Sequence, residues 1–416
     1  MRILLLTQVL PYPPDAGPKV KTFHLLQYLA QHHEVTLVSL VRSAAEVDQA
    51  KALRGLCAAI HTVPLRRSRG RDLAHLAVST LSGDSFLMRR DASPQLRVLL
   101  ADLTRREPFD LIHADQLNMA QFAVDLPGGA RILDQHNAVW TIVQRMAAHA
   151  SYAKGLGLAL EARRLRRYEA RICARFDGLL TVSTADLRFL NLAAAEAGVR
   201  LPPTALLPIA VDVQGTPPVA REAQPHTILS MATMFWPPNV DGVLWFAREV
   251  YPLIKAAVPE VRFAVVGARP PAAVRQLGEA DASISVTGYV ADPQPYRAAA
   301  AALIVPVRAG GGMRVKILEA LALGLPIVST TIGYEGIEVE PDTHLLVGDT
   351  PAAFAGAVIR LVRDPALGQR LAVAGRQVAA TRYDWRVVNP RIEHLYAEAL
   401  AHAAKGRAVA ALEVAS

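Results

Sequence analysis

Val307-Arg308-Ala309-Gly310-Gly311-Gly312-Met313-Arg314-Val315-Lys316-Ile317-Leu318-Glu319-Ala320-Leu321-Ala322-Leu323-Gly324-Leu325-Pro326-Ile327-Val328-Ser329-Thr330 spells the end of a strand, a glycine loop, a helix, a glycine stop and a second strand. Gly310, Gly311 and Gly312 allow close approach to the backbone, and the N–H groups that open the following helix form a natural phosphate site. Arg314 and Lys316 fall in the expected first turn, where cations are unfavourable beside the helix dipole. An anionic ligand would reverse that penalty. Glu319 follows about 9–10 Å along the axis at ~1.5 Å per residue, where a carboxylate can accept two hydroxyl hydrogen bonds from a ribose. The plainer alternative is a surface helix with an ordinary Lys316–Glu319 pair and glycines that only make a turn.

Outward from this stretch the same strand-helix alternation recurs. Short apolar runs predict strands at Thr227–Met231, Arg262–Val266, Ser283–Val286, Ala302–Val305 and Pro326–Thr330, with helices between them. An earlier series runs through Met1–Thr7, Val35–Val41, Phe109–His113, Arg131–Asp134 and Gly178–Val182. After the first of these come a Pro-rich loop with Gly17 and a helical pattern with Phe23, Leu25, Leu26 and Leu29 on one face. Alternation of this kind predicts α/β domains, each a doubly wound parallel sheet covered on both faces. Leu201 to Pro225, rich in Pro, Gly and Thr, reads as an interdomain linker, with the domain boundary drawn at residues 214–225. Ligands of two such domains are expected in a cleft beyond the C-terminal strand ends.

The 416 residues suit two domains, and 52% apolar with 20% charged residues excludes global disorder, a disulfide scaffold and a collagen-like fibre. A formal charge of +8 favours phosphorylated ligands or an anionic surface. Cys57 and Cys173 are too few for a zinc cluster and suit a reducing cytosol. Met1–Thr7 is too short an apolar run for a signal peptide, and Ala298–Val307 too short for a membrane span. A cytoplasmic protein, with attachment to the inner face of a membrane as an option, is the expectation. No G-x-G-x-x-G turn, P-loop, G-x-S-x-G elbow or H-E-x-x-H helix is found, and no two aspartates are separated by one residue. No metal or other cofactor is expected.

The segment Gly310 to Thr330 resembles the glycosyltransferase 4 family, retaining enzymes of the GT-B architecture, and especially its bacterial exopolysaccharide-type members. The likeness extends to Gly17, Leu133-Asp134-Gln135-His136-Asn137, Thr181-Val182-Ser183, Trp236-Pro237-Pro238-Asn239-Val240-Asp241, Thr287-Gly288-Tyr289-Val290, Glu335-Gly336 and Tyr383-Asp384-Trp385. It implies two Rossmann-like domains facing across a cleft: residues 1–213 on the acceptor side, a linker at 214–225, residues 226–384 for the nucleotide-sugar donor, and a helical segment, 385–416, returning to the first domain. The implied reaction is metal-independent transfer of a sugar, with retention, from a nucleotide diphosphate donor (a UDP- or GDP-sugar) to a hydroxyl of a saccharide or lipid-linked saccharide. No nucleic-acid partner is implied. Carried over by position, Glu319 would hold the ribose, and the Gly310, Gly311 and Gly312 backbone with Arg314 or Lys316 the diphosphate or sugar. Gly17 would approach the donor phosphate, Tyr289, Val290 and Met313 would complete the donor site, and His136 would meet the transferred sugar.

Two positions depart from the family. Gly311 stands where many members have a glutamate eight residues before Glu319, and Met231-Ala232-Thr233-Met234-Phe235-Trp236 lacks their Arg and Lys. Arg314 and Lys316 are the natural substitutes for that charge. Epimerase or hydrolase chemistry on the same fold, and nucleotide-sugar binding without catalysis, stay open as alternatives. His113 and His24 read as structural, and Trp236, Trp245 and Phe246 as helix-start and core residues. Leu160 to Arg175 is a basic helix that, with Leu160, Ile172 and Cys173 available for one face, could rest on anionic headgroups, although a solvated charged face is the favoured reading.

Overall fold

The computed structural model describes every residue except Arg66, His149, Gln224, Pro225, Phe235 and Ser416, and leaves aside the side chains of Ala153 and of 407–415. Phe235 and the last two residues of the expected linker thus lie outside the described residues. The chain divides into two compact units, Met1–Ile209 with Trp385–Ser416, and Ala210–Asp384. Each is a doubly wound α/β unit.

In the first unit seven strands, β1 (Arg2–Thr7), β2 (Glu34–Val41), β3 (Ala59–Pro64), β4 (Leu111–Asp115), β5 (Ala130–Gln135), β6 (Gly178–Thr181) and β7 (Thr204–Leu206), pair in parallel in the order β3-β2-β1-β4-β5-β6-β7. The second has β8 (Thr227–Met231), β9 (Arg262–Val266), β10 (Ile284–Gly288), β11 (Ala300–Val305), β12 (Ile327–Ser329) and β13 (Leu346–Val347), also parallel, in the order β10-β9-β8-β11-β12-β13. Strands β3, β7 and β13 escape a reading of apolar runs. Two are only two or three residues long, and β3 carries His61 and Thr62 between its apolar residues.

The strand orders fix where chemistry can sit. In both sheets the winding reverses beside the first strand, between β1 and β4 and between β8 and β11, and the chains leaving those strands diverge to open a crevice at their C-terminal ends. Central strands are buried over most of their length, as in Ile3 to Leu6 and Ala300 to Val305. A parallel sheet must be apolar on both faces for this burial. Part of the expected linker packs on the second unit, with Val219 N–H donating to Leu323 and Glu222 N–H to Ala298. The C-terminal helix Ile392–Ala415 lies on the first unit, where Tyr396 Oη is 2.8 Å from His113 Nδ1 and Glu393 is 2.9 Å from His33. No described helix is long and apolar enough to cross a membrane.

Candidate functional site

In the second unit, the loop after β11 and the helix Val315–Ala322 form one half of the crevice. Gly310 and Gly312 have φ of 140° and 70°, and a Cβ at Gly310 would come within 2.5 Å of the Arg314 guanidinium. The positive φ is what favours glycine at Gly310, since the guanidinium is the end of a flexible side chain that could move aside. Arg314 is the N-cap residue, one position ahead of the first turn in which the sequence placed it, and its backbone is extended. Its guanidinium folds back onto the carbonyls of Gly311 and of Gly312, the latter at 2.8 Å, and so braces the loop. Met313 is buried.

Lys316 lies in the first turn and donates to Asn239 Oδ1 at 2.9 Å. Asn239 comes from the helix Pro237–Trp245 that follows β8, the other side of the switch point, and its amide also donates to Thr233 O at 3.0 Å. Burial pushes the Lys316 ammonium down to about 7, the Arg314 charge adds to the shift, and Glu319 opposes it. Glu319 has a solvent-accessible side chain closely surrounded by protein atoms, the environment of a concavity. Desolvation raises its pKa, against the charges of Arg297 and Lys316. Arg297 Nε is buried and has no hydrogen-bond partner among the described residues. The site therefore gathers two cations and a carboxylate around glycine backbone, a surface ready for a polyanion bearing hydroxyls. Tyr289 and Val290 follow β10, three strand positions from β11, with Tyr289 exposed and Gly288 at a φ of 74°.

In the first unit the corresponding crevice is walled by buried charge. Asp115 ends β4 opposite Thr7 of β1, and Asp134 lies one residue from the end of β5. Lys21, from the helix Gly17–His32, binds both Asp134 oxygens with almost no solvent exposure on either side chain. Burial alone would raise the Asp134 carboxyl, but the ammonium holds it well below the usual carboxylate range, with His113 and His136 contributing. Thr22 donates to Asp115 at 3.1 Å, and His136 Nε2 lies 2.8 Å from the same carboxylate. His136 Nδ1 is buried without a hydrogen-bond partner among the described residues. Gly17 opens its helix behind Ala16, which supplies no side-chain cap. The loop after His136 is anchored from below: Glu169 accepts from Val139 N at 3.0 Å and Trp140 N at 3.2 Å, and Asp186 accepts from Ala138 N at 2.9 Å. Desolvation pushes Glu169 up to about 8, against those backbone bonds.

Asp115, Asp134 and His136 present ligand atoms within 4.8 Å of one another, a set able to hold a metal ion. A search for adjacent aspartates misses it, because the three groups are joined by the β4–β5 pairing and not by sequence spacing. Lys21 already places a positive charge on Asp134, so a metal there would have to share or displace it. Sequence reasoning also missed Lys21, Asp115, Asn239 and Arg297 as site residues. His113 is fully buried, 3.6 Å from Asp134, and joins the C-terminal helix to this network. His24 stacks on Trp385 at 6.2 Å between centroids. Trp245 and Phe246 are core residues, while Trp236 is partly exposed at a helix start. Ile172 and Cys173 are buried against the sheet, so the face expected to pair them with Leu160 on a membrane does not exist.

Residues 225–364 match the family described as Glycosyl transferases group 1. The phosphatidyl-myo-inositol mannosyltransferase of Mycobacterium leprae (strain TN) is 26% identical over 256 residues, 60% of this chain and 65% of that protein. The chain spans from 36% to 65% of the length of curated relatives it matches. Likeness of fold extends further. Sucrose-phosphate synthase from Thermosynechococcus elongatus superposes with a TM-score of 0.70 at 16% identity, covering 96% of this chain and 100% of that one. Anabaena HepE in complex with UDP-glucose gives 0.67 at 15%, covering 95% and 98%. The fold is the double-Rossmann GT-B architecture, and the second unit is related to group 1 glycosyl transferases.

Proposed function

We propose that this protein is a retaining glycosyltransferase that moves a sugar from a nucleotide diphosphate donor to a hydroxyl of a saccharide or lipid-linked acceptor. The observation that carries this reading is the coincidence, within residues matched by the group 1 family, of the positive-φ glycine loop with the partly buried Lys316 and the accessible carboxylate of Glu319 on the helix that follows it. The glycine N–H groups and Lys316 would bind the diphosphate, which leaves as sugar transfer proceeds, and Glu319 would hold the ribose. Stabilising that departing charge is the main catalytic task, and a preorganised cation and backbone dipoles perform it without a protein nucleophile. His136, oriented by Asp115, would meet the sugar as positive charge grows at its anomeric carbon. Arg314 supports the loop and shares its charge. Support for the donor class comes from HepE, solved with UDP-glucose, and support for a lipid-linked acceptor from the mannosyltransferase named for phosphatidyl-myo-inositol.

The test is a transfer assay with UDP-, GDP-, ADP- and dTDP-sugars over an acceptor panel, with the product anomer read by NMR and a parallel reaction in EDTA. Transfer with retention, undiminished by EDTA, is expected. Donor change without acceptor would reassign the protein to an epimerase or hydrolase, and activity lost in EDTA but restored by manganese would assign the Asp115, Asp134 and His136 group to a metal.

A further inference from the structure

Glu169 lies in the core of the first unit, one turn from the end of the helix Tyr152–Cys173, with no solvent exposure. Among the described residues no cation pairs with it, so its burial is offset only by hydrogen bonds. A carboxyl group in that setting is costly in either form. Ionised it is desolvated, and protonated it must find an acceptor for its proton. A leucine or methionine would fill the same space without either cost, so what the side chain holds is informative. Oε1 accepts from Gln135 Nε2 at 3.2 Å and from Val139 N at 3.0 Å, and Oε2 accepts from Trp140 N at 3.2 Å. All three donors belong to the short stretch 135–140, and His136 lies inside it. Ala138 N, from the same stretch, donates to the buried Asp186 at 2.9 Å.

Val139 and Trp140 open the helix Val139–Ala148, and their N–H groups are among those that a helix leaves without an internal acceptor. A helix is ordinarily capped by the side chain just before it. Here that residue is Ala138, which has no oxygen to offer, and the acceptor comes from a residue 30 positions further along the chain. A local cap would stabilise the helix alone, whereas a remote one also ties the bend that carries His136 to a helix of the core. On the other side of His136 the Gln135 amide makes the same tie, reaching Glu169 and, at 3.3 Å, Cys173 Sγ one turn further on. The bend is clamped both before and after the histidine.

We propose that Glu169 is a positioning residue for His136: its two oxygens hold the bend 135–140 so that the imidazole stays 2.8 Å from Asp115 and is presented to the reacting sugar. The proposal rests on the reading of His136 given above, as the residue that meets the transferred sugar. The ring makes one hydrogen bond, through Nε2, and its Nδ1 has no partner among the described residues. One bond sets a distance without fixing the plane of the ring, so the placement of the imidazole depends on the backbone that carries it. A shift of about 1 Å in a reacting group can cost about a hundredfold in rate. Sealed from solvent behind the bend, Glu169 acts only through it.

The test compares Glu169→Ala and Glu169→Gln with the wild-type full chain. In the transfer assay Glu169→Ala should lower kcat about tenfold to a hundredfold, and Glu169→Gln, which keeps the shape and one acceptor oxygen, should fall between it and wild type. The Kd for UDP and for GDP should change in neither. With carbon-labelled histidine, the His136 resonance, assigned by its loss in His136→Gln, should move in Glu169→Ala, while those of His226 and His344 in the second unit stay in place. In the wild-type chain the amides of Val139 and Trp140 should exchange slowly for the start of a helix, because a buried acceptor holds them. An unchanged kcat in the folded fraction of Glu169→Ala, a loss of nucleotide affinity equal to the loss of kcat, an unmoved His136 resonance or unprotected amides would overturn the proposal. A lowered melting temperature with unchanged kcat would leave Glu169 as a cap for the helix and nothing more. Should Glu169→Ala not fold, Glu169→Gln and the wild-type amide exchange decide in the same way. Absence of transfer by the wild-type chain with every donor would count against the glycosyltransferase reading alone, and the resonance and exchange measurements would still decide the positioning.

Discussion

Lys316 offers the sharpest test of the diphosphate assignment, because its ammonium stands at about 7 in the ligand-free protein. A diphosphate beside it favours the charged form and restores a pKa near the ordinary lysine value of about 10.4. At pH 8 a group of pKa 7 is only about one-tenth protonated, so binding should draw in about nine-tenths of a proton. From pH 7 to pH 9 the protonated fraction of the free protein falls from about one-half to about one-hundredth. Affinity should therefore fall about 50-fold over that interval, or about 2.3 kcal/mol. Isothermal titration of UDP and GDP in buffers of different ionisation enthalpy measures the uptake directly. Working above pH 7.5 keeps the ligand's own terminal phosphate, with a second pKa of about 6, out of the balance. Lys316→Arg is the control: a guanidinium stays charged across this range, so proton uptake should vanish while binding persists. Linkage gives the companion sign for stability. A lysine whose pKa is lowered by folding binds fewer protons folded than unfolded, so ligand-free stability should rise with pH between about 7 and 10.4, and saturating ligand should flatten that rise. Uptake below about one-fifth of a proton at pH 8, or equal uptake by the arginine variant, would refute the assignment.

Other expectations concern single side chains. Glu319→Ala should weaken donor binding about tenfold to a hundredfold with the melting temperature unchanged, since hydrogen bonds to a charged acceptor contribute about 1.5–3 kcal/mol; titration calorimetry with a nucleoside diphosphate, compared with its 2′,3′-dideoxy analogue, shows whether the lost contact was to the ribose. His136→Ala should lower kcat about a hundredfold or more and leave donor Kd nearly unchanged, because its interaction belongs to the transition state; an unchanged kcat in the folded fraction would remove it from the reaction. Lys21→Met should destabilise the fold by about 3–5 kcal/mol by stranding the buried Asp134 carboxylate, and Lys21→Met with Asp134→Leu should recover much of that loss, as urea unfolding of both variants would report.

The alternation of short apolar runs with amphipathic segments sufficed for the fold class, because a parallel sheet covered on both faces needs that pattern along the chain and little else. Thr227–Met231 and Arg262–Val266 are strands over the residues expected, and the glycine loop announced a backbone geometry that only glycine adopts easily. The buried lysine of the first unit was also readable in principle: Lys21 shares a helix face with Leu25 and Tyr28, and a lysine in a core stripe requires a buried acid.

Which acid answers it was not readable. Asp134 lies 113 residues away, and the pairing of β1 with β4 and of β4 with β5 decides that it, Asp115 and His136 share one end of one sheet. The same holds for Lys316 and Asn239, 77 residues apart and joined across the switch point. Exposure, too, belongs to the tertiary structure. The apolar periodicity of Arg69–Ser82 describes a stripe without saying which way it faces, whereas the packing of Ser79 turns Leu73 and Leu81 to solvent. Local sequence determines the period of an element because periodicity is a property of the backbone; the partners and the side that faces water follow from long-range packing, which no window of sequence contains.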